Sequence, residues 1–350
     1  MTEQLQKQPS ARVPIHLISG FLGSGKTTLL NRVIDYYKAA DVKVAVIMNE
    51  LGDVNLDGQF VDDDVPMAEM LGGCICCTIR GDLGLELKML IEEHQPDVVL
   101  IESTGAANPM EIIDAVTEAA LYIRVELQTI ATVVDGPELL SRSRRGGRTY
   151  RLMQDQIRCA TDLIMNKADK LGPDELIEVQ QLIRELNSYA PLTITVRCMV
   201  ELNMFDPSPG RQAGTDARQL HESHVCGANC SQEGHHHPHD EQTTDMGISH
   251  SHVMALTYYF DGPVNSYDFE SLISRLPDDV YRAKGIVTFS DTNSRFLFQY
   301  AYRELEFTRI TPQGKVNDVA VFIGEHFAKD ALVQDLVRLH EGTGSTGIAP

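Results

Sequence analysis

The 350-residue chain has no apolar run approaching the roughly 20 residues that a membrane-spanning helix needs, so a helical membrane protein is not expected. Its opening stretch, Met1 to Ser10, is polar and lacks the hydrophobic segment of a secretory signal, which points to a cytoplasmic protein. No internal repeat is present. Positive charge is scarce: 30 Lys and Arg stand against 50 Asp and Glu, a net charge of −20. Such a surface repels nucleic acid and anionic lipid, so neither is an expected partner, although an acidic solvated surface accounts for most of the excess. Cysteine is present in an odd number, seven, and three of the seven crowd into positions 74–77, where they cannot pair off as a disulfide framework. In a cytosolic chain such crowding reads as metal or redox chemistry.

What is present is ordered alternation. The length allows about two domains. Val13–Ser19, Val44–Met48, Asp97–Glu102, Thr129–Asp135, Asp162–Asn166 and Leu192–Val196 are apolar runs of strand length. Lys26–Ala40, Leu83–His94, Met110–Ala120, Leu152–Cys159 and Asp174–Tyr189 carry helical patterns between them. The alternation predicts an α/β domain with a mostly parallel sheet covered by helices on both faces. It stops near Phe205. Residues 207–252 lack apolar periodicity and are rich in Gly, Ser, Asp, Glu, Gln and His, which predicts a disordered linker. Strand-like Met254–Phe260, Gly285–Phe289, Phe296–Ala301, Glu304–Ile310 and Val319–Ile323, with helical Ser266–Leu276 and Lys329–Leu339, predict a small α+β domain. The expected boundaries are a flexible 1–12, a nucleotide-binding domain at 13–206, the linker at 207–252, the small domain at 253–340 and a flexible tail at 341–350.

Gly20-Phe21-Leu22-Gly23-Ser24-Gly25-Lys26-Thr27 fits the P-loop pattern G-x-x-x-x-G-K-[ST], with a strand before it and a helix after it. The glycines let backbone N–H groups and the helix N-terminus face phosphates. Gly20, Gly23, Ser24, Gly25, Lys26, Thr27 and Thr28 are therefore the expected phosphate-site residues, with Lys26 on the β- and γ-phosphates and Thr27 on Mg²⁺. Glu102 closes an apolar strand where a Mg²⁺-water ligand belongs, and Gly105 could bring its N–H to the γ-phosphate and sense hydrolysis. Lys26, Thr27 and Glu102 are the expected catalytic set. Asn166-Lys167-Ala168-Asp169 follows a late strand and fits N-K-x-D. The Asp169 carboxylate can accept from the N1–H and exocyclic amine of guanine, a donor pair that adenine lacks, so GTP is the expected nucleotide.

Gly72-Gly73-Cys74-Ile75-Cys76-Cys77-Thr78 is expected to open a helix after an apolar turn. Three thiols at a glycine-loosened helix N-terminus would have lowered pKa values, and thiolates suit Zn²⁺ and other soft or borderline ions. Three buried small hydrophobes and a Cys74/Cys77 redox dithiol are the competing readings. Glu50, after the second strand, could supply a further ligand on the same sheet edge.

The P-loop, Asn49-Glu50-Leu51-Gly52, Cys74-Ile75-Cys76-Cys77, Glu102-Ser103-Thr104-Gly105 and Asn166-Lys167-Ala168-Asp169, in this order, resemble a CobW-type GTPase, a branch of the P-loop GTPases that includes zinc- and cobalt-handling metallochaperones. The resemblance covers about residues 13 to 205 and extends more weakly to the small domain, where Tyr281-Arg282-Ala283-Lys284-Gly285 is similar to the R-x-K-G segment of that family. Leu51 stands where a Phe is common. The resemblance implies that Cys74, Cys76 and Cys77 bind Zn²⁺ or a similar ion near the nucleotide, with Cys76 central, and that metal occupancy and GTP turnover affect each other.

A second metal feature is the linker. His221, His224, Cys226, Cys230, His235, His236, His237, His239, His250 and His252 fall within 32 residues and include eight of the 12 histidines. Cys226 and Cys230 form a plausible chelating pair with imidazoles to complete a tetrahedron, against the plainer reading of a polar spacer. Arg142, Arg144, Arg145 and Arg148 are read as a solvated basic loop, with a docking face or a γ-phosphate-directed arginine as alternatives. Cys159 and Cys198 are expected to be structural, and His16 and His94 satisfied or exposed. Together these features lead to the expectation of a GTP-hydrolysing metallochaperone, monomer or homodimer, that delivers Zn²⁺ (Co²⁺ or Ni²⁺ being the alternatives) to a client metalloprotein. The segment from Asn49 to about Phe60 and the cysteine loop would act as its switches. A metal store or sensor, with nucleotide as a structural ligand, and a P-loop kinase with a redox CxxC are the other readings.

Overall fold

The structure, a computed structural model, describes residues 12–50, 65–71, 79–206, 253–301, 303–312 and 314–341. Cys74, Cys76 and Cys77, most of the 49–60 segment, the 207–252 linker with all its histidines and cysteines, and nearly all of the terminal segments lie outside the described residues, as does the side chain of Glu50.

Seven parallel strands form the first sheet: β1 (Val13–Ser19), β2 (Val44–Glu50), β3 (Met67–Leu71), β4 (Val98–Glu102), β5 (Val125–Asp135), β6 (Asp162–Asn166) and β7 (Leu192–Ile194), in the order β3-β2-β4-β1-β5-β6-β7. Parallel strands need crossovers, and α1 (Lys26–Ala39), α2 (Ile79–His94), α3 (Pro109–Ala119), α4 (Gly136–Arg145), α5 (Arg148–Arg158) and α6 (Pro173–Leu186) supply all but the one from β2 to β3, most of which lies outside the described residues. Alternate residues of one strand serve opposite faces: Ile15 and Leu17 of β1 join the core under α2 and α3, whereas Ile18 joins the core under α1. Because every strand runs the same way, β1, β2, β4, β5 and β6 end on one edge, with Met48 and Ile18 in register with Glu102 and Asp135 in register with Asn166.

The second sheet is antiparallel, β11-β10-β9-β12-β8, built from β8 (Val253–Tyr259), β9 (Val280–Phe289), β10 (Ser294–Ala301), β11 (Glu304–Ile310) and β12 (Val319–Glu325). One face packs Phe298, Ala320 and Phe322 against α7 (Ser266–Ser274) and α8 (Lys329–Glu341). Its other face sends Tyr259, Ile286, Val319, Val321 and Ile323 into the core shared with α3 and β5. The Tyr259 hydroxyl donates to the Ile123 and Val125 carbonyls at 3.1 and 2.9 Å and accepts from the Val125 N–H at 2.9 Å, so the two sheets are bonded as well as packed.

Three local expectations are corrected. The stretch before the cysteines is strand β3, not a turn: it pairs with the outer side of β2, and Glu69 interrupts Met67-Ala68-Glu69-Met70-Leu71, so it lacks the continuous apolar run that marks the buried strands. The basic segment is no loop. Arg142, Arg144 and Arg145 fill the last turn of α4, and Arg148 opens α5. Asp135 caps α4 by accepting from the Glu138 N–H at 3.1 Å, Pro137 sits in its first turn, and cations at its C-terminus suit the helix dipole. Only Gly136, Leu139 and Leu140 of α4 are buried, too few for an apolar period to stand out. β5 begins four residues earlier than expected, since Val125 and Leu127 pair with Val13 and Ile15. Among the described residues no helix is long and apolar enough to cross a membrane.

Candidate nucleotide and metal site

The P-loop leaves β1 in a run of left-handed glycines: Gly20, Gly23 and Gly25 have φ of +138°, +70° and +114°. A Cβ on Gly20 would sit 2.2 Å from the Val133 carbonyl oxygen, so the turn fits against β5 only without a side chain. Lys26 is 8% exposed and its Nζ donates to the Phe21 carbonyl at 3.3 Å, which holds it along the loop. The Ser24 hydroxyl is buried with no hydrogen-bond partner among the described residues. Thr28 faces outward.

The Thr27 hydroxyl donates to Glu102 Oε1 at 3.0 Å, and Glu102 is 5% exposed. An all-oxygen pair of a hydroxyl and a carboxylate fits Mg²⁺, which takes hard oxygen donors and keeps several waters. Gly105 lies hard against the P-loop: a Cβ there would be 2.4 Å from the Leu22 nitrogen.

Asn166, Lys167 and Asp169 reach the same edge with separate tasks. Asn166 is 4% exposed; its Nδ2 donates to the Ser24 carbonyl at 2.8 Å, and its Oδ1 accepts from the Cys198 N–H at 3.1 Å. It braces the P-loop. Lys167, in left-handed backbone at φ 62°, pairs with Asp135. Asp169 is exposed and lines an open cleft of about 750 Å³ with Ala168, Ile194, Thr195, Val196, Arg197 and Met199.

The wall at 195–199 is a loop, not the end of the expected Leu192–Val196 strand, because β7 stops at Ile194, and no sequence motif marked Thr195, Arg197 or Met199 as lining this cleft. Thr195 Oγ1 donates to the Met199 carbonyl at 3.0 Å, while Arg197 and Cys198 are both left-handed, at φ 52° and 53°. Arg32 of α1 ties the loop down by donating to the Cys198 and Val200 carbonyls. Cys198 is fully buried and its Sγ donates to the Gly25 carbonyl at 3.4 Å; burial pushes its thiol up to about 11, and that of Cys159 up to about 12. Both are neutral packing thiols at physiological pH. The available signal was position, since ligands of open α/β sheets bind beyond the carboxyl ends of the strands and this loop follows β7.

The basic segment has its own partners. Arg142 pairs with Glu138 at 2.7 Å and lies 6.0 Å from the ring centroid of Phe21 in the P-loop, and Arg144 pairs with Glu178 at 3.0 Å. His16 is fully buried: its Nε2 is 3.1 Å from the Tyr37 hydroxyl, and its Nδ1 has no partner among the described residues, so it is half satisfied. Among the described residues no group of three or more His, Cys, Asp or Glu could hold a metal ion, and the expected ligands Cys74, Cys76, Cys77 and Glu50 are not among the described side chains.

Two family models match the chain: the CobW/HypB/UreG nucleotide-binding domain over residues 14–193, and the cobalamin synthesis protein cobW C-terminal domain over residues 253–339. Zinc-regulated GTPase metalloprotein activator 1 of Dictyostelium discoideum is 28% identical over 255 residues, covering 61% of this chain and 53% of that protein. Zinc chaperone YeiR of Escherichia coli K12 is 33% identical over 160 residues, 45% of this chain and 48% of YeiR. Zinc chaperone YjiA of the same strain is 27% identical over 321 residues, 89% of this chain and 94% of YjiA. The chain thus spans about half the length of the first two relatives and nearly all of the third.

Proposed function

The chain belongs to the CobW family of P-loop GTPases, and from that premise we propose that it hydrolyses GTP and uses the cycle to hand a transition metal, zinc first, to a client metalloprotein in the cytoplasm. The convergence of Thr27 and Glu102 beside the P-loop carries the hydrolytic half of this reading. Lys26 and the P-loop N–H groups bind the β- and γ-phosphates, the Asp169 cleft takes the guanine, and Gly105 contacts the γ-phosphate. Mg²⁺ held by Thr27 and, through water, by Glu102 would neutralise charge between the phosphates.

The metal half rests on sequence and strand order. Residues 72–78, which carry Cys74, Cys76 and Cys77, begin where β3 ends, and Glu50 ends β2 in register with Leu71. β3, β2, β4 and β1 are neighbours. At about 4.8 Å per strand, the end of β3 is roughly 10 Å from that of β4 and roughly 14 Å from that of β1, close enough for a thiolate site and the γ-phosphate to influence one another. The names of the relatives make zinc the first cargo to test, and imidazole plus thiolate ligands also admit cobalt and nickel.

The test is to purify the full chain without added metal, measure its bound ions, and titrate its GTP turnover against Zn²⁺, Co²⁺ and Ni²⁺, beside Cys76→Ser and Lys26→Ala. Bound zinc lost in Cys76→Ser and a zinc-dependent rate are expected. A metal-insensitive rate in a metal-free sample overturns the coupling. Undiminished metal transfer by Lys26→Ala would leave a store or sensor in its place.

A further inference from the structure

Gln156 is a buried polar side chain with no part in the site described above. It lies on α5 and is 1% exposed. Its Nε2 donates to the carbonyls of Gly105 and Ala107, at 3.2 and 3.4 Å, so both amide hydrogens are engaged. The glutamine is itself fixed. Its backbone carbonyl lies in the last turn of α5, where no intrahelical donor reaches, and accepts from Thr132 Oγ1 at 3.0 Å. Asn187 Nδ2 caps the neighbouring Ile157 and Ala160 carbonyls at 2.9 and 3.0 Å.

The segment that Gln156 grips follows Glu102. Residues 104–107 form a turn closed by Ala107 N–H on the Thr104 carbonyl at 3.0 Å, and Gly105 is pressed against Leu22 of the P-loop. The Gly105–Ala106 peptide is planar and trans, so a Gly105 carbonyl turned toward Gln156 puts the Ala106 N–H on the opposite side. Among the described residues neither the Gly105 nor the Ala106 N–H has an acceptor. The loop therefore has its Thr104, Gly105 and Ala107 carbonyls bound and two N–H groups without an acceptor among the described residues, the polarity an anion requires.

We propose that Gln156 is a positioning residue for GTP turnover: by holding the Gly105 and Ala107 carbonyls it presents the Gly105 and Ala106 N–H groups to the γ-phosphate as charge develops on it. This deepens the GTPase reading and rests on it. A preorganised donor costs nothing to reorient during reaction, so loosening one slows the chemical step more than it weakens binding.

The test uses the full chain and Gln156→Leu, with kcat and KM for GTP, GDP affinity by calorimetry and the melting temperature. A kcat reduced about tenfold or more, with KM and GDP affinity within about twofold, is expected. Gln156→Glu serves where the leucine variant does not fold: a neutral carboxyl offers one donor and an ionised one offers none, so its kcat relative to wild type should rise as pH falls. An unchanged kcat in folded Gln156→Leu, a proportional loss of GDP affinity, or a pH-independent ratio for Gln156→Glu overturns the role. Wild-type turnover no faster than that of Lys26→Ala overturns the GTPase reading and this role with it. Normal wild-type turnover with an indifferent Gln156 overturns this role alone.

Discussion

Thr27 and Glu102, 75 residues apart, meet at 3.0 Å with the hydroxyl donating to the carboxylate. The contact joins the start of α1 to the end of β4 and sets two hard oxygen donors beside the phosphate loop. Thr27→Ala and Glu102→Gln should each lower GTP turnover about a hundredfold, the usual order for removing one group that stabilises transition-state charge. Turnover measured against Mg²⁺ concentration checks this; a Glu102→Gln protein with the wild-type rate and Mg²⁺ response would remove Glu102 from the site.

Gly25 and Gly23 separate strain from contact. Both have positive φ, but a Cβ on Gly25 would meet Asn166 Nδ2 at 2.6 Å and Cys198 Sγ at 3.0 Å, whereas one on Gly23 has nothing within 4 Å. Gly23→Ala should cost about 1 kcal/mol from the left-handed backbone alone. Gly25→Ala should cost about 2–3 kcal/mol and weaken GDP binding, since the brace through Asn166 must shift. Denaturant midpoints and GDP titration compare the two, and equal losses would mean that the Asn166 brace is unimportant.

His16 makes stability depend on pH. Burial lowers its pKa to about 4 from an ordinary 6.5, so the native ring stays neutral where the unfolded one takes a proton. Its contribution is full above pH 6.5 and is lost as pH falls from 6.5 toward 4, by about 3 kcal/mol in all. Between pH 7.5 and pH 5, wild type should lose about 2 kcal/mol more than His16→Gln in urea unfolding. Parallel losses in the two proteins would count against a neutral buried ring.

Arg282 and Asp114 hold the small sheet to α3. Arg282 Nη1 lies 2.7 and 2.6 Å from the two Asp114 oxygens, and the Asp114 side chain is only 8% exposed. One turn along α3, Glu118 pairs with Lys284 at 3.4 Å. A double-mutant cycle on Asp114→Asn and Arg282→Met should give about 1–2 kcal/mol of coupling, and one on Glu118 and Lys284, a more exposed pair, about 0.5 kcal/mol. Zero coupling at Asp114–Arg282 would mean that apolar packing alone docks the sheet.

The amino-acid sequence alone determined the elements whose signal is local. Five apolar runs became five central or near-central strands within four residues of their expected ends, because a buried parallel strand must be apolar throughout. The P-loop and the 166–169 segment were legible for a like reason: glycine backbone freedom, a lysine and a carboxylate are needed at fixed spacing, and spacing survives in one dimension. The β3 edge strand and the charged α4 lacked a strong period, so pairing with β2 and a cap from Asp135 decided them. Only the tertiary structure decided that Gln156 would reach Gly105 across 51 residues and Arg282 reach Asp114 across 168. Partners of that kind are chosen by which strands become neighbours, and a buried amide or carboxylate finds its match in space without leaving any pattern along the chain.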